Sequence, residues 1–198
     1  MTVALQRPWT LEQFLRWAGA QDGRYEFDGE RPVAMTGGNA RHSRVTGNIH
    51  AALRARLRGA PCQAYGPDLG VRTIGAKVRY PDALVTCAPF PDTAQIAPDV
   101  RVIFEVVSPS SGQTDRIEKV REYAAVPSMR RYIIVETRSA GLLLLHRTGA
   151  DEPWTATALT ADDTLALPEI GIEIPVSEVY EGVDFETAAT DWTVEAGD

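Results

Sequence analysis

The sequence predicts an α/β (α+β) domain, a mixed β-sheet flanked by helices, and three observations predict it. His42, Val45, Ile49, Leu53 and Leu57 recur at helical spacing over a long segment. Short apolar, β-branched runs such as RVIFEVV and RYIIVE follow it, with a second helical segment between them. The 198 residues, 44% hydrophobic and 24% charged, suit one domain that buries its own core.

Each element has a local reason. Thr10 can cap a short helix running through Leu11, Phe14, Leu15 and Trp17 to Ala18. RYEFDGERPVAM reads as a hairpin, with Asp28-Gly29 as a tight turn whose two central positions want positive φ. TGGN opens the long helix, about residues 40–58, and Arg41, Arg44, Arg54, Arg56 and Arg58 decorate its other faces. Strands are expected near 62–66, 69–74, 78–87 and 101–107. After SPSSGQ, a helix from Asp115 to about Ala125 is stopped by Pro127. RYIIVET and LLLLHR form a hairpin, WTATALT a further strand, and LPEIGIEIPVSEVY a last short strand and helical turn. The domain is expected over residues 1–182, with 183–198 an acidic, flexible tail.

No apolar run reaches the ~18 residues of a transmembrane helix, and the start lacks the basic and apolar regions of a secretory signal. The expectation is a cytoplasmic protein with Cys62 and Cys87 as reduced, buried thiols. The net charge of -7 argues against nucleic acid only as a total. Residues 150–198 carry 13 acidic residues and no Lys or Arg, which leaves 20 basic against 14 acidic residues, net +6, in the body. The only lysines are Lys77 and Lys119.

Two carboxylates interrupt apolar strands: Asp82 in KVRYPDALVTC and Glu105 in RVIFEVVS. A buried carboxylate needs a cation, a donor or a raised pKa. Two brought together suit a hard divalent cation, Mg²⁺ or Mn²⁺. A strand-end acid that meets water or an arginine is the bland alternative for each. Asp115, Lys119 and Tyr123 follow one another at i, i+4 spacing on the helix after Glu105, so they share a face that can turn toward it. Strict alternation puts Lys77 on the opposite sheet face from Asp82. No zinc-ligand spacing, nucleophile elbow, P-loop or dinucleotide fingerprint is present.

The ordered set Y-E-F-D-G-E, a histidine on the long helix, P-D-A-L-V, F-E-V-V-S-P-S, D-x-x-x-K-x-x-x-Y and Y-I-I-V-E resembles the Uma-type restriction endonuclease family of the PD-(D/E)xK nuclease-like superfamily. The resemblance spans roughly residues 10–182 and implies a restriction-endonuclease-like core. It implies that Asp82 and Glu105 hold the metal with the carbonyl of Val106, and that Glu26 completes the shell. It further implies that Lys119 replaces the superfamily's lysine, because Val107 occupies the usual position two beyond the acid. His42 matches a family histidine, which a hydrogen bond to a neighbouring loop would equally explain. The implied activity is metal-dependent hydrolysis of DNA phosphodiesters, with backbone contacts from Arg41, Arg44, Arg54 and Arg116, and from Arg56, Arg58 and Arg121 as further candidates. A homodimer is compatible with such an enzyme. A nuclease-fold binding or assembly module without catalysis, and a hydrolase of another phosphoester, stay open.

Overall fold

The computed structural model describes residues 8–107 and 113–185. Most of the expected SPSSGQ loop and residues 186–198 lie outside it, as do the side chains of Gln113, Thr114 and Asp115. Helix α1 (Leu11–Ala18) starts at Thr10, whose hydroxyl accepts from Gln13 N while the Gln13 side chain accepts from Thr10 N. Strands β1 (Tyr25–Phe27) and β2 (Pro32–Ala34) form the expected hairpin. Its loop is not the expected two-residue turn, because only Gly29 takes positive φ. Four residues bridge the strands instead, and the Asp28 carboxylate accepts from the amides of Glu30 and Arg31, each at 2.8 Å.

Helix α2 (Ala40–Arg56) is capped by the Asn39 side chain, which accepts from His42 N. Then come β3 (Gln63–Tyr65), β4 (Val71–Arg72), β5 (Val78–Arg79), β6 (Ala83–Thr86) and β7 (Val100–Val107). Helix α3 (Gln113–Ala124) leads to β8 (Arg131–Glu136), β9 (Gly141–His146) and β10 (Thr155–Thr160). The last described elements are β11 (Thr164–Leu167), a 3-10 turn, β12 (Ile172–Pro175) and α4 (Val176–Val179).

The central sheet has the order β10-β9-β8-β7-β6-β3. Strands β7 and β8 are parallel, joined by the α3 crossover, and the other neighbours are antiparallel, so the sheet is mixed. One face packs on α2 and α4 through Val45, Ile49, Leu53, Phe104, Ile133 and Val179. The other face packs through Ile103, Tyr132 and Ile134 against Tyr123 of α3. A small sheet, β2-β1-β5-β4, carries α1 on its own core of Phe14, Phe27 and Val78. Val183 and Phe185, the first apolar residues of the expected tail, pack against the α2 and α4 core.

Three expectations need correction. The strand expected over 78–87 is two strands in different sheets, interrupted at Tyr80–Asp82. Alternation therefore does not place Lys77 relative to Asp82; its ammonium donates to Glu122 at 2.9 Å. Cys62 and Cys87 are not free thiols but a disulfide. They flank the paired ends of β3 and β6, since Gln63 stands opposite Thr86, and that register brings two residues 25 apart in sequence together.

Candidate active site

The site forms where β6 begins and β7 ends. Ala83 pairs with Phe104, so Asp82 lies just beyond the start of β6, beside the backbone of β7. There the Val106 amide donates to Asp82 Oδ2 at 2.8 Å. His50 Nε2 donates to the Asp82 carbonyl at 2.9 Å and fixes the backbone of the acid. His42 Nε2 stands 3.3 Å from Asp82 Oδ1. The imidazole folds back over Gly38, where a Cβ would sit 2.6 Å from the ring. The hydrogen bond to Asp82 raises the His42 pKa, partial burial opposes it, and the Val106 carbonyl and the Glu105 charge assist.

Glu105 is 7% exposed. Tyr123 OH donates to its Oε1 at 2.7 Å and Lys119 Nζ to its Oε2 at 3.2 Å. Burial pushes its pKa from 4.5 up to about 7. Lys119 and the Tyr123 hydroxyl pull it down, while the charges of Asp82 and Glu26 push it further up. Burial also lifts the Tyr123 phenol well above its ordinary value, with Glu105 adding to the shift.

A buried ion network backs the site. Arg79 NH1 donates to Glu26 Oε2 at 2.6 Å, and its Nε and NH2 fork onto Glu122 at 2.6 and 2.9 Å. Burial works against this charge, but the bonds and charges of Glu122 and Glu26 hold the guanidinium pKa above its ordinary value. Glu26 also accepts from Tyr80 N at 3.4 Å.

An open cleft of ≈ 540 Å³ collects Glu26, His42, Asp82, Glu105, Val106, Arg116 and Lys119. Tyr123 lies buried beneath, on Glu105. Arg116 donates to Glu136 at 3.0 Å. Arg41 does not line this cleft; it donates to the carbonyls of Thr137 and Asp184 and lies over the Phe185 ring. Arg44 and Arg54 are exposed along α2, and so are Arg58 and Arg121 elsewhere. Arg56 is held by both oxygens of Glu178. Asp115 lies on α3 with its side chain outside the described residues.

Arg79 and Glu122 are absent from the sequence reading, and His50 enters it only as a histidine without zinc-ligand spacing. Arg79 had a signal: it is a charge next to apolar Val78 in a strand, the criterion that singled out Asp82 and Glu105. For a metal, the cleft offers the hard oxygens of Asp82, Glu105 and the Val106 carbonyl. Glu26 is turned toward Arg79. Among the described residues no cluster of three acids, histidines or cysteines is poised around one ion.

The chain is similar to known proteins over most of its length. The chain is 30% identical over 176 residues to the uncharacterized protein slr1290 of Synechocystis sp., covering 88% of this chain and 92% of that one. It is 23% identical over 167 residues to a second uncharacterized protein of that organism, sll1609, covering 82% and 94%. The crystal structure of "a putative nuclease belonging to DUF820" from Anabaena variabilis superposes with a TM-score of 0.68 at 15% identity, over 88% of this chain and 98% of that one. That likeness shows a shared fold, the one of that nuclease-fold structure. The family profile described as "Uma2: Putative restriction endonuclease" matches residues 11–177, and the chain belongs to that family.

Proposed function

We propose that the protein is a metal-dependent DNA endonuclease that hydrolyses phosphodiester bonds. The observation that carries this is one juxtaposition: Asp82 and Glu105 open on one cleft, with Lys119 bonded to Glu105. Mg²⁺ or Mn²⁺ suits the donors, because carboxylates and a carbonyl are hard ligands. Burial raises the Glu105 pKa first and the Asp82 charge adds to it, and a cation between the two acids would offset both effects. When bound, such an ion polarises the phosphate and acidifies a water.

The chain's own residues do the rest. Lys119 reaches Glu105 from α3, which covers the sheet face shared by Glu105 and Val107. It thus approaches from the side on which a lysine at 107 would lie. There it orients the attacking water and offsets charge on the phosphate. His42, 3.3 Å from Asp82 Oδ1, orients that acid. Arg116 at the cleft wall binds an adjacent phosphate. Glu26, pinned by Arg79, adds negative charge to the cleft without contacting Glu105.

Supercoiled plasmid incubated with the protein and Mg²⁺ or Mn²⁺ tests the reading. Asp82→Ala and Glu105→Ala should abolish cleavage. Lys119→Ala should slow it by about 10²–10³-fold, the cost of one preorganised donor, and Lys77→Ala should leave it standing. An uncut plasmid with wild-type protein in both metals would leave a binding module on a nuclease fold.

A further inference from the structure

A second cavity adjoins the cleft. It measures ≈ 160 Å³ and lies between the end of α1, the approach to β1 and the turn after β5. Arg24, Met35 and Tyr80 line both spaces, so the two adjoin. Its walls include the Tyr25 ring, backed edge-on by Trp17, and the half-buried Tyr80. Gln95 approaches the Gly19 backbone at one end of it. Tyr80 is half-buried and Gln95 exposed, and among the described residues no protein group engages the Tyr80 hydroxyl or the Gln95 side-chain amide. Arg24 donates to the Pro67 carbonyl and stands 3.8 Å from Asp68, which braces the rim.

Size and chemistry select the occupant. A cavity of about 150 Å³ accepts a benzene ring, so this one takes a single heterocycle and excludes a base pair. Ring faces suit stacking, and the Gln95 side-chain amide at the rim offers one donor and one acceptor edge, the pattern that reads a base. Tyr80 is two residues from Asp82, at most ~7 Å along the chain, within reach of a nucleoside whose phosphate lies at the acids.

We propose that this cavity receives one unstacked nucleobase of the strand whose phosphate lies at Asp82 and Glu105, so that the protein prefers single-stranded over paired DNA. The proposal rests on the nuclease reading above. Duplex DNA would have to extrude the base at a cost that a single strand does not meet.

Gly19 provides the test. Its φ of -65° and ψ of -11° suit any residue. A Cβ there would meet Leu15 O at 3.5 Å and Gln95 Nε2 at 3.7 Å, ordinary contact distances. Gly19→Leu therefore plugs the cavity without backbone strain, and Gln95→Leu removes its free amide as a second variant. Binding is measured with a single-stranded oligonucleotide carrying 2-aminopurine, with Ca²⁺ replacing Mg²⁺, and against the matching duplex. Wild-type protein should bind the single strand more tightly and change the 2-aminopurine emission. Both variants should lose about tenfold in single-strand affinity, in the range of one stacked base, with duplex affinity unchanged. Variants that bind the single strand as the wild type does, while wild-type protein cuts plasmid, would overturn the cavity's role alone. Wild-type protein that neither binds nor cuts DNA would overturn the nuclease reading and the cavity's role together.

Discussion

Glu105 shows how much a single residue position determines. An acid here is costly, because the sheet and α3 exclude water and Asp82 repels it. Its pKa of about 7, against an ordinary 4.5, means that the folded protein holds this proton more tightly than the unfolded chain. The contribution to stability is therefore present below about pH 4.5 and is lost as the pH rises through about 7. Glu105→Gln should flatten that part of the melting-temperature profile. Carbon-detected NMR of the Glu105 carboxyl should give a midpoint near 7. Asp82→Asn should move it down, because the Asp82 charge is one of the forces raising it. A midpoint that stays put in the variant would show that the two acids do not interact. Both residues were legible in the sequence because a charge inside an apolar run has few bland explanations. Arg79 meets the same criterion, but its carboxylate partners Glu122 and Glu26 lie 43 and 53 residues away in sequence, and only the fold brings them to it. The Cys62–Cys87 pair was not legible, because it depends on the register of β3 against β6 and no local signal encodes that.

At the scale of elements, α3 serves two sites. Lys119 and Tyr123, four residues apart, reach Glu105, while Glu122 between them reaches Arg79 and Lys77. Burial raises the Glu122 pKa, but its bonds to Arg79 and Lys77 prevail and hold it below 4.5. Its contribution to stability is thus present above that value and lost as the pH falls through the lowered one. Glu122→Ala leaves the buried Arg79 with Glu26 alone and should cost about 3 kcal/mol in urea unfolding at pH 7, with the deficit shrinking in acid. An equal loss at all pH values would assign it to packing. The disulfide acts on β3, the edge of the central sheet. Closing a loop over a sequence separation of 25 residues stabilises by about 3 kcal/mol. Reduction should add two hydrogens to the intact mass and lower the urea midpoint accordingly. An unchanged mass under reductant would refute the bridge. The helices were readable because their apolar faces repeat at 3.6 residues. Strands β5 and β6 were read as one because apolar residues flank Tyr80–Asp82 on both sides, although Pro81, which cannot donate to a ladder, marks where the chain leaves one sheet for another. Strand β11 escaped because four residues, T-L-A-L, carry too little pattern.

For the whole molecule, the total charge of -7 says less than its distribution. The arginines expected to meet DNA divide by what already holds them. Arg41 is occupied by two carbonyls and the Phe185 ring, and Arg56 by Glu178. Both tie α2 to the C-terminal part of the fold, so their loss should lower stability before it lowers binding. Arg54 and Arg58 are exposed at the far end of α2, about 18 Å or more along the axis from His42 at 1.5 Å per residue. If that end tracks the DNA backbone, each neutralises one phosphate and releases its counterions. The slope of log affinity against log salt should then become shallower by about 0.9 per arginine removed. Arg54→Ala/Arg58→Ala would weaken duplex binding uniformly across sequences, with the slope reduced by about 2 and the Glu105 midpoint unmoved. An unchanged slope would confine the DNA to the cleft and to Arg116. The basic surface would then have to be local to the acids, and the excess of arginine on α2 would belong to solubility and packing.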